Sequence, residues 1–150
     1  MVVNNTELEQ TMTHENPPLW EILEFKANGD ERGSLTALES GKNVPFAIQR
    51  VYYIYGTLPN VRRGAHAHRD LQQIAICVSG YCSFLLDDGK HQQEIKLDRP
   101  TKGLHINSMV WREMFDFSED CVLMVLADQL YDESDYIRNY DEFISLIKEQ

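Results

Sequence analysis

The chain has little of what would mark several large protein classes. Its 150 residues hold three cysteines, Cys77, Cys82 and Cys121. The number is odd and the spacing is not that of a zinc site, so neither a disulfide framework nor a structural metal knot is expected. Each cysteine lies in an apolar, strand-like run and reads as a buried free thiol. No run approaches the roughly 18–20 apolar residues that a membrane-spanning helix needs. Met1 to Asn16 is polar and lacks the basic start and apolar stretch of a signal peptide, so a cytoplasmic location is expected. Basic residues are also scarce: 14 Lys and Arg against 24 Asp and Glu give a net charge of −10. That balance argues against a nucleic-acid-binding surface. No internal repeat or low-complexity segment is present.

What remains is the profile of a soluble globular protein, 43% hydrophobic and 25% charged. Residues 1–18 read as a flexible lead-in ending at Pro17-Pro18. Residues 19–150 then suit one domain. Short β-prone runs follow one another: Leu19–Phe25, Ser34–Glu39, Phe46–Tyr55, Gln72–Val78, Cys82–Leu86, Gln92–Leu97, Leu104–Ile106 and Val122–Ala127. Turn signals separate them, among them Asn28-Gly29-Asp30, Ser79-Gly80 and the hairpin pair Asp88-Gly89. Many short strands without βαβ alternation predict an all-β sandwich or barrel. Only the C-terminal stretch reads as helix. Ser134 or Asp135 is the expected cap, and Tyr136, Tyr140, Phe143, Ile144 and Ile147 fall on one face.

Charge is uneven. Arg50, Arg62, Arg63 and Arg69 form a basic island suited to an anionic small ligand, while Asp116 to Glu142 is acidic. Inside the island lies Arg62-Arg63-Gly64-Ala65-His66-Ala67-His68. Alternate residues of a strand share a face, so His66 and His68 point the same way, and the small Ala65 and Ala67 leave room on the other. Two imidazoles side by side in a barrel interior are costly unless they bind metal, move protons or touch a ligand. The spacing is that of the first cupin motif. Gln73 stands where that motif has Glu, and Gly80 follows. In the stretch matching the second motif, Arg112 stands where a metal-binding histidine is expected, and a guanidinium cannot coordinate a cation. His105 is the residue that could replace it. Two histidines and an amide make a poor divalent-metal site, so acid–base work is the expected role.

Over about Arg32 to Phe143 the chain resembles the dTDP-4-keto-6-deoxyglucose 3,4-ketoisomerases, sugar isomerases of the cupin superfamily. The resemblance is carried by Arg32-Gly33-Ser34-Leu35, by Val44 to Ile54, by Arg63 to His68 and by Leu71 to Gly80. It continues through Leu85 to Gly89, Trp111 to Phe117 and Tyr131 to Arg138. It implies a cupin-type jelly-roll β-barrel with a C-terminal α-helix, a homodimer with exchanged N-terminal strands, and no metal or other cofactor. It further implies dTDP-4-keto-6-deoxyglucose as substrate and a dTDP-3-keto-6-deoxyhexose as product. An aminotransferase would use that product, on the way to dTDP-3-amino-3,6-dideoxyhexoses of cell-surface glycans such as lipopolysaccharide O-antigen. Positions 32 and 112, which track product stereochemistry in the family, both hold Arg in this chain.

Moving a ketone between neighbouring carbons through an enediol needs a base at one carbon and a proton shuttle between the oxygens. His66 is the candidate carbon base and His68 the candidate oxygen shuttle. Arg50 and Tyr52, on one face of a strand, are candidates to stabilise the enediolate. Arg32, Arg63 and Lys102 are candidates for the diphosphate, and Trp111 for stacking on sugar or thymine. Gln73 and Arg112 complete the candidate site. Two other chemistries stay open from the residues alone: a metal-dependent cupin enzyme, and a non-catalytic nucleotide-sugar-binding protein on the same barrel.

Overall fold

The computed structural model describes residues 16–150, so most of the lead-in expected over residues 1–18 lies outside the described residues. In chain order the elements are β1 (Trp20–Glu24), β2 (Asn28–Asp30), β3 (Gly33–Leu35), β4 (Arg50–Tyr55), β5 (Arg63–His68) and β6 (Gln73–Ser79). Then come β7 (Cys82–Asp87), β8 (Gln92–Leu97), β9 (Lys102–Ile106), β10 (Trp111–Phe115), β11 (Val122–Ala127), a single 3-10 turn (Glu133–Asp135), β12 (Tyr136–Ile137) and α1 (Tyr140–Lys148). One five-stranded sheet has the order β1-β9-β6-β11-β4, the other β12-β5-β10-β7-β8, and β2 pairs only with β3. Every ladder between these strands is antiparallel. Two facing antiparallel sheets of this order make the expected jelly roll. No helix of the described residues is long and apolar enough to cross a membrane.

The burial pattern follows from where each strand lies. β4 is an edge strand and alternates: Arg50, Tyr52 and Ile54 turn inward, while Val51, Tyr53 and Tyr55 stay exposed. β6 is central and covered on both faces, which is why Ile74-Ala75-Ile76-Cys77 reads as an unbroken apolar run. Ala75 and Cys77 join the cluster between the sheets, with Phe84, Leu86, Leu104, Leu123 and Val125. Ile74 and Ile76 face the outer layer, where Phe25, Val44 and Phe46 cover them. A third cluster, Ala67, Trp111, Ile137 and Phe143, lies under α1. The cysteines are free and buried, as expected. Close contact with Cys77 and burial push the Cys82 thiol far up, and burial pushes that of Cys121 up to about 12.

Five expectations need correcting. Phe46 to Gln49 is not strand; Phe46 instead plugs the outer layer. The run expected from Ser34 to Glu39 is strand only as far as Leu35, and Asn28-Gly29-Asp30, read as a turn, is β2. Arg63 to His68 and Trp111 to Phe115, missing from the β-prone runs, form β5 and β10 at the heart of the second sheet. The helix starts later than periodicity suggested. Asn139 caps α1, accepting from the Glu142 N–H at 2.9 Å, and Tyr136 lies before it in β12, beside His68.

Candidate active site

His66 and His68 both point between the sheets, as their spacing predicted, although β5 is not regular there. Arg112 stands opposite His66 and Glu113 opposite Gly64, so Ala65 is an extra residue in a β-bulge. Gly64 has φ +89° and Ala65 φ 46°, both left-handed. The bulge turns the Gly64 carbonyl back onto the strand, where the Nδ1–H of His66 donates to it at 2.7 Å. A carbonyl only accepts, so Nδ1 carries the proton and the neutral ring keeps its lone pair on Nε2. The two rings meet edge to face with centroids 4.9 Å apart. Tyr136 packs on both, at 4.9 Å from His66 and 4.5 Å from His68.

Burial, then the nearby Arg112 guanidinium, lowers His66 to about 4. The same two causes, in the same order, hold His68 well below the ordinary histidine value. Both rings are therefore neutral proton acceptors at neutral pH. On its far side His68 is held by a carboxylate, with Nδ1 2.9 Å from Asp135 Oδ2. Its Nε2 is buried without a hydrogen-bond partner.

Arg112 is 2% exposed. It donates to Gln73 Oε1 at 2.6 Å and to the Val110 carbonyl at 3.0 and 3.3 Å. Burial lowers it to about 10, which leaves it cationic at neutral pH. Gln73 passes the network on, its Nε2 donating to the Tyr52 hydroxyl at 3.0 Å. Because Tyr52 oxygen accepts that bond, its own proton is free to be given elsewhere. Burial raises Tyr52, so it stays a protonated donor. Gln73 thus holds Tyr52 and Arg112 together and does not hydrogen-bond a histidine.

Around these groups opens a cavity of about 380 Å³, lined by Tyr52, Arg63, His66, Tyr131, Tyr136 and Arg138 among others. Arg50 also lines it; its guanidinium lies over the rings of Tyr52 and Tyr131 at 5.2 and 5.6 Å, and its Nε is buried without a partner. The mouth is cationic although the chain is acidic.

The structure thus brings together His66, His68, Arg50, Tyr52, Arg63, Gln73 and Arg112. It places three sequence candidates elsewhere. Trp111 alternates with Arg112, so it points outward and packs on Tyr140 and Phe143 of α1. Lys102 begins β9 at the end opposite Ile106, the residue paired with Gln73, and donates to the Lys96 carbonyl at 2.8 Å. Arg32 lies at the turn of the β2–β3 hairpin, ion-paired with Asp30 at 2.6 Å, beside a separate hollow formed by that hairpin. His105, weighed as a replacement metal ligand, faces the outer layer, where its ring lies 5.9 Å from Phe46 and its Nε2 is 2.9 Å from Gln72 Oε1. Tyr131, Asp135, Tyr136 and Arg138 were missed as site residues. Their one signal was the likeness of Tyr131 to Arg138 to the family, overridden by the helical periodicity counted from Tyr136.

The FdtA family (WxcM-like, C-terminal) matches residues 19–148. A TDP-4-oxo-6-deoxy-alpha-D-glucose-3,4-oxoisomerase from Aneurinibacillus thermoaerophilus is 54% identical over 122 residues, 81% of this chain and 88% of the relative. A TDP-quinovose 3,4-ketoisomerase from Campylobacter jejuni is 53% identical with a TM-score of 0.81, covering 84% of this chain and 97% of its own. A 3,4-ketoisomerase from Thermoanaerobacterium thermosaccharolyticum is 43% identical with a TM-score of 0.86, covering 88% and 96%. That structure is of a histidine-to-asparagine variant in complex with TDP-4-keto-6-deoxyglucose. With a family match across nearly all the described residues, relatives above half identity and a shared jelly-roll barrel, this chain belongs to the sugar 3,4-ketoisomerase family of cupins.

Proposed function

We propose that the protein is a 3,4-ketoisomerase that converts dTDP-4-keto-6-deoxyglucose to a dTDP-3-keto-6-deoxyhexose by histidine acid–base chemistry through an enediol. The observation that carries this reading is the pair of neutral imidazoles, 4.9 Å apart, set beside a buried cation, Arg112. His66 Nε2 takes the proton from carbon 3, whose acidity comes from the adjacent 4-ketone. The electrons move to the ketone oxygen, giving an enediolate. His68 moves a proton between the two oxygens, and a proton returned to carbon 4 leaves the ketone at carbon 3. Atoms and charge balance without an external oxidant or reductant.

The enediolate is anionic, so fixed positive charge and donors lower its energy more than that of the neutral substrate. Arg112 supplies the charge and the free Tyr52 hydroxyl proton the donor. Arg50, Arg63 and Arg138 at the mouth suit the diphosphate. Tyr131 and Tyr136 offer ring faces to sugar or thymine.

We further assign residues 19–150 to one cupin domain, acting in the biosynthesis of dTDP-3-amino-3,6-dideoxyhexoses in the cytoplasm. A homodimer with exchanged N-terminal strands accords with two features. Val51, Tyr53 and Tyr55 expose apolar surface on an edge strand, and the exposed β2–β3 hairpin carries Arg32 away from its own chain's histidines. Exchange would give Arg32 a partner's pocket to reach. Sedimentation at twice the chain mass is the expected result.

The catalytic test is proton NMR of dTDP-4-keto-6-deoxyglucose incubated with the protein in deuterated water. A 3-keto product with exchange at carbons 3 and 4 is expected, slowed roughly 100- to 10,000-fold in His66→Asn. Substrate left unchanged by a folded protein that still binds dTDP would overturn the reading in favour of a sugar-nucleotide-binding protein.

A further inference from the structure

A two-histidine mechanism does not by itself require a buried carboxylate behind the second ring, yet Asp135 is 6% exposed. It sits in the 3-10 turn just before β12, 67 residues from His68 in sequence. Oδ1 accepts from the Asp70 N–H at 2.8 Å. Oδ2 accepts from the Leu71 N–H at 3.4 Å and lies 2.9 Å from His68 Nδ1. The two backbone partners can only donate, and the carboxylate can only accept. The site is therefore a socket for a third N–H, and His68 Nδ1 fills it. A neutral His68 then has its lone pair on Nε2, the buried nitrogen that lacks a partner. Its ring neighbours are pocket residues, His66 and Tyr136.

We propose that Asp135 is a positioning residue that locks His68 in the Nδ1–H tautomer, presents its Nε2 to the substrate, and steadies the imidazolium formed when Nε2 takes up a proton. The catalytic part of this rests on the isomerase reading; the tautomer does not. A carboxylate beside an imidazole acts in this way wherever the second nitrogen must accept a proton, and inverting the tautomer alone cripples such a site. If Asp135 served only to tie the loop after β5 to the 3-10 turn, any acceptor for the Asp70 and Leu71 N–H groups would do.

Asp135→Asn separates these roles. Its amide oxygen in the Oδ1 place keeps the Asp70 N–H, and its NH2 in the Oδ2 place faces His68, which inverts the imidazole and gives up only the long Leu71 contact. The experiment is long-range nitrogen–proton NMR of the histidine rings in the wild-type full chain and in Asp135→Asn, together with steady-state kinetics. We expect a protonated Nδ1 and a bare Nε2 on His68 in the wild type, reversed in the variant. We expect kcat to fall roughly 100- to 10,000-fold with KM little changed, and no further loss when Asp135→Asn is added to His68→Asn. A wild-type His68 protonated on Nε2, an unchanged tautomer in the variant, or a variant with normal kcat would each overturn the proposal. Should Asp135→Asn fail to fold, the wild-type spectrum still decides the tautomer, and Asp135→Glu, which keeps the acceptor, should restore part of kcat. A wild-type protein that does not isomerise the sugar would refute the functional reading and leave the tautomer to the spectrum.

Discussion

At the scale of the residue, His66 departs far from its solution chemistry. An imidazole in water titrates near 6.5, whereas burial and Arg112 lower His66 to about 4. A base protonated near 6.5 would lose activity across mildly acidic pH. The kcat/KM of this protein is expected to stay level from neutrality down to about pH 5 and then to fall with an apparent pKa near the value of about 4. A pH–rate profile breaking near 6.5 would count against His66 as the base. The histidine pair was legible in the sequence because period-two spacing in a strand survives even a bulge between Gly64 and His66. Gln73 was recognised as a site residue but not for its task. Which groups an amide joins depends on two other strands, β4 and β10, whose register no local pattern encodes.

At the scale of the element, the bulge in β5 governs where His66 points. Gly64 has φ +89°, and a Cβ there would lie 3.1 Å from the Arg112 carbonyl oxygen and 3.3 Å from the end of Met114. Gly64→Ala is expected to cost about 1–3 kcal/mol in denaturant unfolding. It should also slow turnover beyond what that loss explains, since the Gly64 carbonyl fixes the His66 tautomer. A variant with wild-type kcat would show that the bulge is not needed for the alignment of His66. Elements bounded by strong signals were readable: Asp88-Gly89 does join β7 to β8, and Gly89 has φ +88°. β5 and β10 were left out of the β-prone runs because they turn His66, His68 and Arg112 inward, against the usual strand pattern. The helix start was misplaced because Tyr136 and Tyr140, four apart, imitate a turn of helix, while the pairing of Tyr136 with His68 is a contact between distant parts of the chain.

At the scale of the whole molecule, the neutral histidines tie stability to acidity. Their folded-state pKa values are depressed, so the unfolded chain binds protons first as pH falls. Stability is full above about 6.5 and is lost between there and about 4, where His66 protonates in the fold. Each histidine can add a slope approaching roughly 1.4 kcal/mol per pH unit within that window. Chemical denaturation at pH 7 and pH 5 should show a smaller drop for His66→Asn than for the wild type. Equal drops would mean that the ring is not held neutral.

The segment from Tyr131 to Lys148 supplies the carboxylate behind His68, the ring beneath both imidazoles, one cation of the mouth and the helix over Trp111. On the ribosome these residues emerge after every strand of the two sheets except the short β12. A nascent chain that has reached Gln129 therefore carries both histidines and Arg112 but no seat for His68 Nδ1 and no floor of tyrosine. The order of synthesis makes completion of the pocket a late event, so a barrel still being translated has His66 already set by its own strand while His68 waits for the carboxylate that faces its Nδ1.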